Sequence, residues 1–284
     1  MEDIQMNSGS IMNPGSALGE AIGAHMEMAL NKYLIDIVAK YDCHLISKGK
    51  VNPKTGRQTK LLLYDNFGTH YNIDSVITNE SMQPLILVEY KYIRYTKHNR
   101  DKGSWLCTAH NAVRRRYNSV RSSIAILAGS WSGTSVAMMK SHDVNLFIIP
   151  FQKITELLKA YDIKFDWGEK DRDIAGESWN KYVSLTFEER IGIAEDMITL
   201  IKKDLESAIE KTLDNSAKRE VESVTIEIHT NIGEVKRFEF KNIGDALDFL
   251  EDFSFDELLN NADSFTIFDK PAITDENDNE PELF

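Results

Sequence analysis

The sequence predicts an α/β protein, in which a β-sheet is flanked by helices and followed by a smaller ββαβ unit. Apolar, β-branched runs typical of interior strands alternate with helical stretches, and they occupy residues 84–93, 123–129 and 145–150. Apolar residues recur at helical spacing between Leu18 and Ile37, which indicates a long first helix. Residues 221–240 alternate apolar with polar around Asn231-Ile232-Gly233, which predicts a hairpin.

The remaining elements follow from turn and cap signals. The first helix is expected to begin after Asn13-Pro14, with Ser16 as its cap, and to run to about Lys40. A short strand is predicted at 43–47. A meander follows, with a strand at 61–64, a turn at Asp65–Gly68 and a strand at 71–77, and it leads into strand 84–93. Further helices are predicted at 104–121, 136–140, 154–161, 187–213 and 243–250.

These elements divide the chain into five predicted segments. They are a flexible arm at 1–13, a core at 14–165, a helical extension at 166–220, a small acidic α+β appendage at 221–270 that ends in a strand at 264–268, and a disordered acidic tail at 271–284.

The charge is distributed very unevenly along the chain. The net charge of −12 by itself disfavours a nucleic-acid partner, but residues 1–150 hold 17 Lys and Arg against 12 Asp and Glu, whereas residues 151–284 hold 16 against 33. The basic half is therefore the half expected to meet a polyanion. No apolar run is long enough for a membrane span, and the isolated Cys43 and Cys107 indicate a reduced, cytoplasmic protein.

The predicted strand 84–93 contains charged side chains in an otherwise apolar run. Because side chains alternate faces along a strand, Glu89 and Lys91 share one face, and Asp74 lies in the preceding strand-like run. Charges on a strand of this kind are costly to bury unless they compensate one another. Two carboxylates and an ammonium converging in this way can bind a divalent metal and activate water, although a buried Glu–Lys pair with a surface Asp remains the structural alternative.

Ile73-Asp74, fourteen intervening residues and Glu89-Tyr90-Lys91 resemble the signature of the PD-(D/E)xK nucleases, a superfamily that includes many restriction endonucleases. Ile73 stands where that signature usually has Pro. The resemblance implies a restriction endonuclease-like core with a central mixed β-sheet flanked by helices. It also implies one or two Mg2+ ions, with Mn2+ as a substitute, held by Asp74, Glu89 and the carbonyl of Tyr90, while Lys91 acts on the attacking water or on the phosphate.

The first helix carries the pattern Gly19-x3-Gly23-x3-Glu27. Glycines one turn apart mark a face where another backbone approaches closely. The pattern is similar to the first helix of several restriction-type and mismatch-repair nicking endonucleases, in which the Glu reaches the metal site. Glu27 is therefore the expected fourth catalytic and metal-binding residue, with Glu20 as its rival on nearly the same face.

The most basic segment follows the Glu-x-Lys strand. The residues expected to contact DNA are Arg94, Lys97, Arg100, Lys102, Arg114, Arg115 and Arg116. Three adjacent arginines span about 200° of a helix, so they do not all face one ligand. His110, in the same segment, is expected to be a surface or packing residue rather than a ligand.

Together these features predict a Mg2+-dependent, site-specific endonuclease that cleaves double-stranded DNA, a type II restriction enzyme. A homodimer in the bacterial or archaeal cytoplasm is expected, with a cognate DNA methyltransferase as partner. A structure-specific repair nuclease or resolvase of the same superfamily is one alternative. A non-catalytic DNA-binding subunit of a defence complex is the other.

Overall fold

The computed structural model describes residues 13–52, 57–168 and 171–254, apart from the side chain of His98. The helices are α1 (Pro14–Val38), α2 (Asn99–Arg116), α3 (Gly133–Lys140), α4 (Phe151–Lys159), α5 (Arg172–Ser184), α6 (Phe187–Thr199), α7 (Lys202–Leu213) and α8 (Ile243–Glu251). The strands are β1 (His44–Ile46), β2 (Leu62–Tyr64), β3 (His70–Asn72), β4 (Ser75–Thr78), β5 (Pro84–Ile93), β6 (Ser122–Gly129), β7 (Val144–Pro150), β8 (Val224–His229) and β9 (Val235–Phe240). The chain divides into two compact units, and the boundary along the sequence lies between Asp214 and Asn215.

A five-stranded mixed sheet organises the first unit, in the order β1-β4-β5-β6-β7. Strands β1, β4 and β5 pair antiparallel, whereas β5, β6 and β7 pair parallel. The parallel pairs are joined by helical crossovers, as parallel connections require. The predicted α/β class with a central sheet flanked by helices is confirmed.

The predicted meander differs from the observed one in its first strands. The run 71–77 is not one strand, because it divides into β3 and β4 on either side of Ile73-Asp74. Strand β3 pairs only with β2, in a separate two-stranded sheet around the predicted turn, while β4 pairs with β1 and β5. One continuous strand would not satisfy both sets of partners, so the chain changes direction where Asp74 lies.

The central strand β5 is buried on both faces. Ile86, Val88 and Tyr90 belong to the larger core cluster, which includes residues of α1 and α4–α7. Leu87 faces the opposite side with Ala109 of α2, and α2 and α3 pack against each other there. Strand β5 therefore lies between two helical layers.

Helix boundaries follow local chemistry more closely than periodicity. Asn13, not the predicted Ser16, caps α1, because its side-chain oxygen accepts a hydrogen bond from the Ser16 backbone N–H at 3.2 Å. Proline at the first turn favours this start. The helix predicted at 187–213 is two helices, α6 and α7, which are separated at Leu200-Ile201.

The helices between 172 and 213 belong to the first compact unit. Helices α5 and α6 pack on α1, and residues of α5, α6 and α7 share the larger core cluster with β5. Helix α5 was missed by the sequence analysis. The segment 172–213, predicted as part of an extension, therefore completes the core around the sheet.

The second unit contains the predicted hairpin, β8 paired with β9, followed by α8. Phe249 of α8 packs against Phe238 and Phe240 of β9, with ring centroids 4.6 and 5.1 Å apart. The predicted strand at 264–268, the tail at 271–284 and all but the last residue of the predicted arm lie outside the described residues. Among the helices described, none has the length and apolarity needed to cross a membrane.

Candidate active site

Asp74, Glu89 and Lys91 come together beside the C-terminal half of β5. The Lys91 ammonium donates a hydrogen bond to Asp74 Oδ2 at 2.8 Å and a second, very short one to Glu89 Oε2. The backbone N–H of Tyr90 donates to the same Asp74 oxygen at 2.9 Å. The break between β3 and β4 therefore directs the Asp74 side chain to β5, where it receives two donors.

The two carboxylates of this cluster have opposite pKa shifts. Burial raises the pKa of Asp74 to about 6, and the adjacent Glu89 carboxylate adds to the rise against the opposing charge of Lys91. For Glu89, burial favours the neutral form, but the nearby His110, the charge of Lys91 and contact with Asp74 together lower the pKa to about 2. One carboxylate of the pair is therefore ionised at all ordinary pH values, while the other takes up a proton close to neutrality.

Lys91 remains charged in this setting. Burial opposes its charged form, but the Glu89 and Asp74 carboxylates outweigh that effect and raise its pKa. Its side chain is 23% exposed, against 20% for Asp74 and 5% for Glu89. The cluster is thus open to solvent on the side of Lys91 and Asp74, and closed behind Glu89.

His110 of α2 closes the site behind Glu89. It is 1% exposed, and its Nε2 lies 3.9 Å from Glu89 Oε1, which is longer than a hydrogen bond. Neither ring nitrogen has a hydrogen-bond partner in the described part of the chain. His110 packs, as the sequence predicted, but it packs against a catalytic candidate rather than in a purely apolar core.

Two contacts hold α1 against β5. The glycine face is closely packed as predicted, but against a side chain rather than a backbone, because an added Cβ would lie 2.8 Å from the Tyr92 ring at Gly19 and 3.3 Å from the Tyr92 Cβ at Gly23. Further along α1, Asn31 Oδ1 accepts hydrogen bonds from the Tyr90 hydroxyl at 3.0 Å and from the Ser75 hydroxyl at 3.1 Å. Glu27 lies between these two contacts, so its position relative to β5 is fixed on both sides.

The structure separates Glu27 from its rival Glu20. Burial is the main cause of the raised pKa of Glu27, and Lys91 and Glu89 both act on it electrostatically, so Glu27 lies beside the cluster. Glu20 is exposed and accepts a hydrogen bond from the Ser16 hydroxyl at 3.3 Å. Of the two carboxylates, Glu27 is the one on which Lys91 and Glu89 act electrostatically.

The predicted DNA-contacting residues do not form one patch. Lys97, Arg100 and Lys102 lie exposed at or just before the start of α2, whereas Arg114, Arg115 and Arg116 lie in its last turn. At 1.5 Å per residue, Arg100 and Arg115 are about 22 Å apart along the helix.

Two of the predicted DNA-contacting arginines make intramolecular contacts. Arg116 Nη1 donates to the Asp65 carbonyl at 3.1 Å, which ties the β2–β3 turn to α2. Arg94 is half-buried among aromatic rings, with its guanidinium 3.8 Å from the ring centre of Trp167. Both side chains thus have a packing role in addition to any role toward a ligand.

The donor atoms of the cluster suit a hard divalent cation. Carboxylate oxygens are the ligands that Mg2+ prefers, and Mg2+ is commonly held by only one or two carboxylates while it retains waters. Within residues 13–52, 57–168 and 171–254, no group of three or more His, Cys, Asp and Glu side chains forms a metal cage. Asp74 and Glu89 could hold Mg2+ as such a pair of carboxylates. Burial and then repulsion from Glu89 raise the pKa of Asp74, and a bound cation would offset both effects. The backbone N–H of Tyr90 donates to Asp74, and the Tyr90 carbonyl as a metal ligand stays a prediction.

Asn31 and His110 are site residues whose roles sequence reasoning missed. Asn31 follows Glu27 by four residues and therefore lies on the same helical face, which is a usable signal once Glu27 is singled out. Nothing in the sequence near His110 indicates its proximity to Glu89.

Comparison with known proteins gave no match to a family model, to a curated protein or to a solved structure.

Proposed function

We propose that this chain is a Mg2+-dependent, site-specific endonuclease that hydrolyses phosphodiester bonds in double-stranded DNA, with PD-(D/E)xK chemistry of the restriction type. The observation that carries the proposal is the convergence of Asp74, Glu89 and Lys91, in which one ammonium contacts both carboxylates. A purely structural ion pair needs one acid for one base. The second carboxylate raises the pKa of its neighbour and opposes ionisation, and such arrangements are typical of functional sites.

The order of elements supports the same proposal. A helix, an antiparallel meander, a helix, a parallel strand, a second helix and a second parallel strand make up the order of the restriction endonuclease-like core. Strands β1, β4 and β5 and strands β6 and β7 follow that order, with β2 and β3 as an added hairpin. The proposed catalytic strand β5 is the one that joins the antiparallel and parallel parts of the sheet.

Each residue of the cluster has a distinct proposed role. Asp74 and Glu89 would bind the metal through carboxylate oxygens, and Glu27 would support them from α1. When bound, Mg2+ lowers the pKa of a water molecule and offsets the negative charge that develops on the scissile phosphate. Lys91, which stays protonated beside the carboxylates, would donate a hydrogen bond to the attacking water or to a phosphate oxygen.

The charge distribution supports a polyanionic substrate. Residues 1–150, which contain the cluster, carry the excess of Lys and Arg, and the net negative charge arises in residues 151–284. Cleavage of both strands at a symmetric sequence requires two such clusters, so the proposed active form is a homodimer. A DNA methyltransferase that protects the same sequence is the proposed cellular partner.

The proposal is tested by incubating the purified full chain with unmethylated phage-length DNA in Mg2+, in Mn2+ and in EDTA. Discrete fragments in either metal, and intact DNA in EDTA, are the expected result. Fragments that also form in EDTA would contradict the metal-dependent mechanism. Intact linear duplex together with metal-dependent cleavage of branched DNA would replace the restriction-type proposal with the resolvase alternative.

A further inference from the structure

A cavity of about 620 Å3 lies between the N-terminal half of α1, the end of β5 and the start of α5. Pockets of a few hundred to about a thousand Å3 are typical of sites for small molecules and cofactors, so this one has room for more than an inorganic ion. The resemblance that led to the catalytic cluster gave no indication of it.

Three cations line this cavity, and their charge is only partly offset. They are Arg94, Lys102 and Arg172, and the lining carboxylates are Glu20 and Asp171. Both carboxylates already accept local hydrogen bonds, Glu20 from the Ser16 hydroxyl and Asp171 from the Gly168 backbone N–H at 2.9 Å. Among the described residues, no ion pair joins these cations to a carboxylate, so the cavity is suited to an anion.

Arg94 is the strongest sign of a ligand. Its Nη2 donates to the Trp167 carbonyl at 2.9 Å, and its guanidinium is 3.8 Å from the Trp167 ring centre and 4.7 Å from that of Phe165. Its Nε and Nη1 are buried and have no hydrogen-bond acceptor in the described part of the chain. Arginine stays charged and costs free energy when it is buried with unpaired donors, and a phosphate oxygen is a strong acceptor for them.

The cavity adjoins the proposed catalytic cluster. Gly23 lines it, and Glu27 follows one helical turn later, about 6 Å along the axis. Burial lowers the pKa of Lys102 at the cavity, and the charge of Lys91 lowers it further, so the two ammonium groups act on each other electrostatically. A phosphate held in the cavity would thus lie close to one held at Asp74 and Glu89.

We propose that this cavity binds one nucleoside monophosphate unit of the DNA strand, next to the bond that is cut. The phosphate group would contact Arg94, Lys102 and Arg172, and the base would lie along the half-exposed ring of Tyr95, which also lines the cavity. This proposal rests on the proposed function, because it takes the ligand to be part of the same substrate. A free nucleotide has the same chemistry, and the experiment distinguishes the two sources.

The test is calorimetric titration of the full chain with thymidine 5′-monophosphate in EDTA, with thymidine as the comparison ligand. Lys102→Gln/Arg172→Gln removes two exposed cations of the cavity, and Lys140→Gln/Lys159→Gln removes two exposed cations elsewhere. We expect the monophosphate to bind and thymidine not to bind. We also expect the cavity variant to raise Kd by at least about tenfold and the matched control to leave it unchanged. Arg94→Lys, which keeps the charge but loses the guanidinium fork, should weaken binding as well.

No binding of the monophosphate at millimolar concentration, or equal Kd values for the two double variants, would overturn the site. Displacement of the monophosphate by a short single-stranded oligonucleotide supports the strand as the source, and failure to displace it overturns that assignment in favour of a free nucleotide. Because the titration contains no metal, it does not depend on cleavage. If the chain binds the monophosphate through the cavity but cuts no DNA, only the proposed function is contradicted. If it cuts DNA but does not bind the monophosphate, only the cavity proposal is contradicted.

Discussion

Gly19 of α1 lies so close to Tyr92 of β5 that a Cβ at position 19 would be 2.8 Å from the ring atom Cε1. This contact sets the distance between the first helix and the strand that carries Glu89 and Lys91. Glu27 follows Gly19 by two turns and depends on the same distance. The two glycines are therefore part of the site's construction, although they carry no functional group.

We expect Gly19→Ala to destabilise the protein by about 1–3 kcal/mol, because the added methyl must displace an aromatic ring in a packed core. Gly192→Ala in α6 is the matched control, since a Cβ there meets nothing within 4 Å in the described part of the chain. Alanine is the better helix former, so the control should gain up to about 1 kcal/mol. Urea unfolding of both variants checks this, and an equal gain at position 19 would contradict the close contact.

Asp74→Asn should abolish cleavage while DNA binding in EDTA persists, because the amide keeps the shape of the site but supplies a poorer metal ligand. The same change should raise the melting temperature at pH 8 without metal. The folded-state pKa of about 6 exceeds the ordinary 3.8, so the stability contributed by Asp74 is full below 3.8 and is lost as pH rises through about 6. Asparagine at position 74 does not ionise, so the variant does not lose this stability at pH 8. A lower melting temperature for the variant at pH 8 would contradict the cost of ionising Asp74 where it is buried beside Glu89.

Activity in Mg2+ should fall as pH decreases through about 6, because a proton on Asp74 competes with the metal for the same oxygens. Glu89, with its pKa lowered to about 2, should contribute nothing to this decline. Because the proton and the metal compete, a tenfold higher Mg2+ concentration should move the midpoint of the pH dependence of cleavage to lower pH. Cleavage rates between pH 5 and 8 at two metal concentrations measure it, and a midpoint that ignores metal concentration would assign the decline to another group.

Lys91→Met should eliminate cleavage and also lower stability in EDTA, because Asp74 and Glu89 lose the ammonium that both contact. We expect a loss of roughly 1–3 kcal/mol, less than for a fully buried pair, since Lys91 and Asp74 are about a fifth exposed. Mg2+ should restore part of this stability by replacing the missing positive charge. Lys203→Met, at an exposed position of α7, is the control and should melt as the unaltered chain does, both in EDTA and in Mg2+. Melting curves of the two variants in both conditions decide the matter.

Glu27→Gln should raise the Mg2+ concentration needed for half-maximal cleavage by about tenfold, a typical effect of losing a supporting residue near a metal site. Burial raises the pKa of Glu27, and Lys91 and the proposed ligand Glu89 act on it electrostatically. Glu20→Gln, on the same helix, tests the rival assignment and should leave metal affinity, measured by calorimetry without DNA, as in the unaltered chain. A larger effect at position 20 than at position 27 would reverse the assignment.

Some features of this protein were determined by short-range sequence pattern alone. The alternation along 84–93 identified a strand with Glu89 and Lys91 on one face, because side-chain direction in a strand depends only on parity. Helical spacing identified α1, and the glycine pair identified its close-packed face. The hairpin of β8 and β9 followed from alternation and a turn signal. Each of these inferences uses residues within one element.

Other features depend on which elements pair, and sequence pattern does not supply that. The strand predicted at 71–77 divides at Asp74 because β3 and β4 pair with different partners. Long-range packing also brings α5–α7 into the core and anchors α1 through Asn31. It places His110 behind Glu89, and it brings Glu27 rather than Glu20 under the electrostatic influence of Glu89 and Lys91. Local pattern determined which groups this chain has for chemistry. Only the tertiary structure decided which of them share one site, because the energies that bring them together come from contacts between distant parts of the chain.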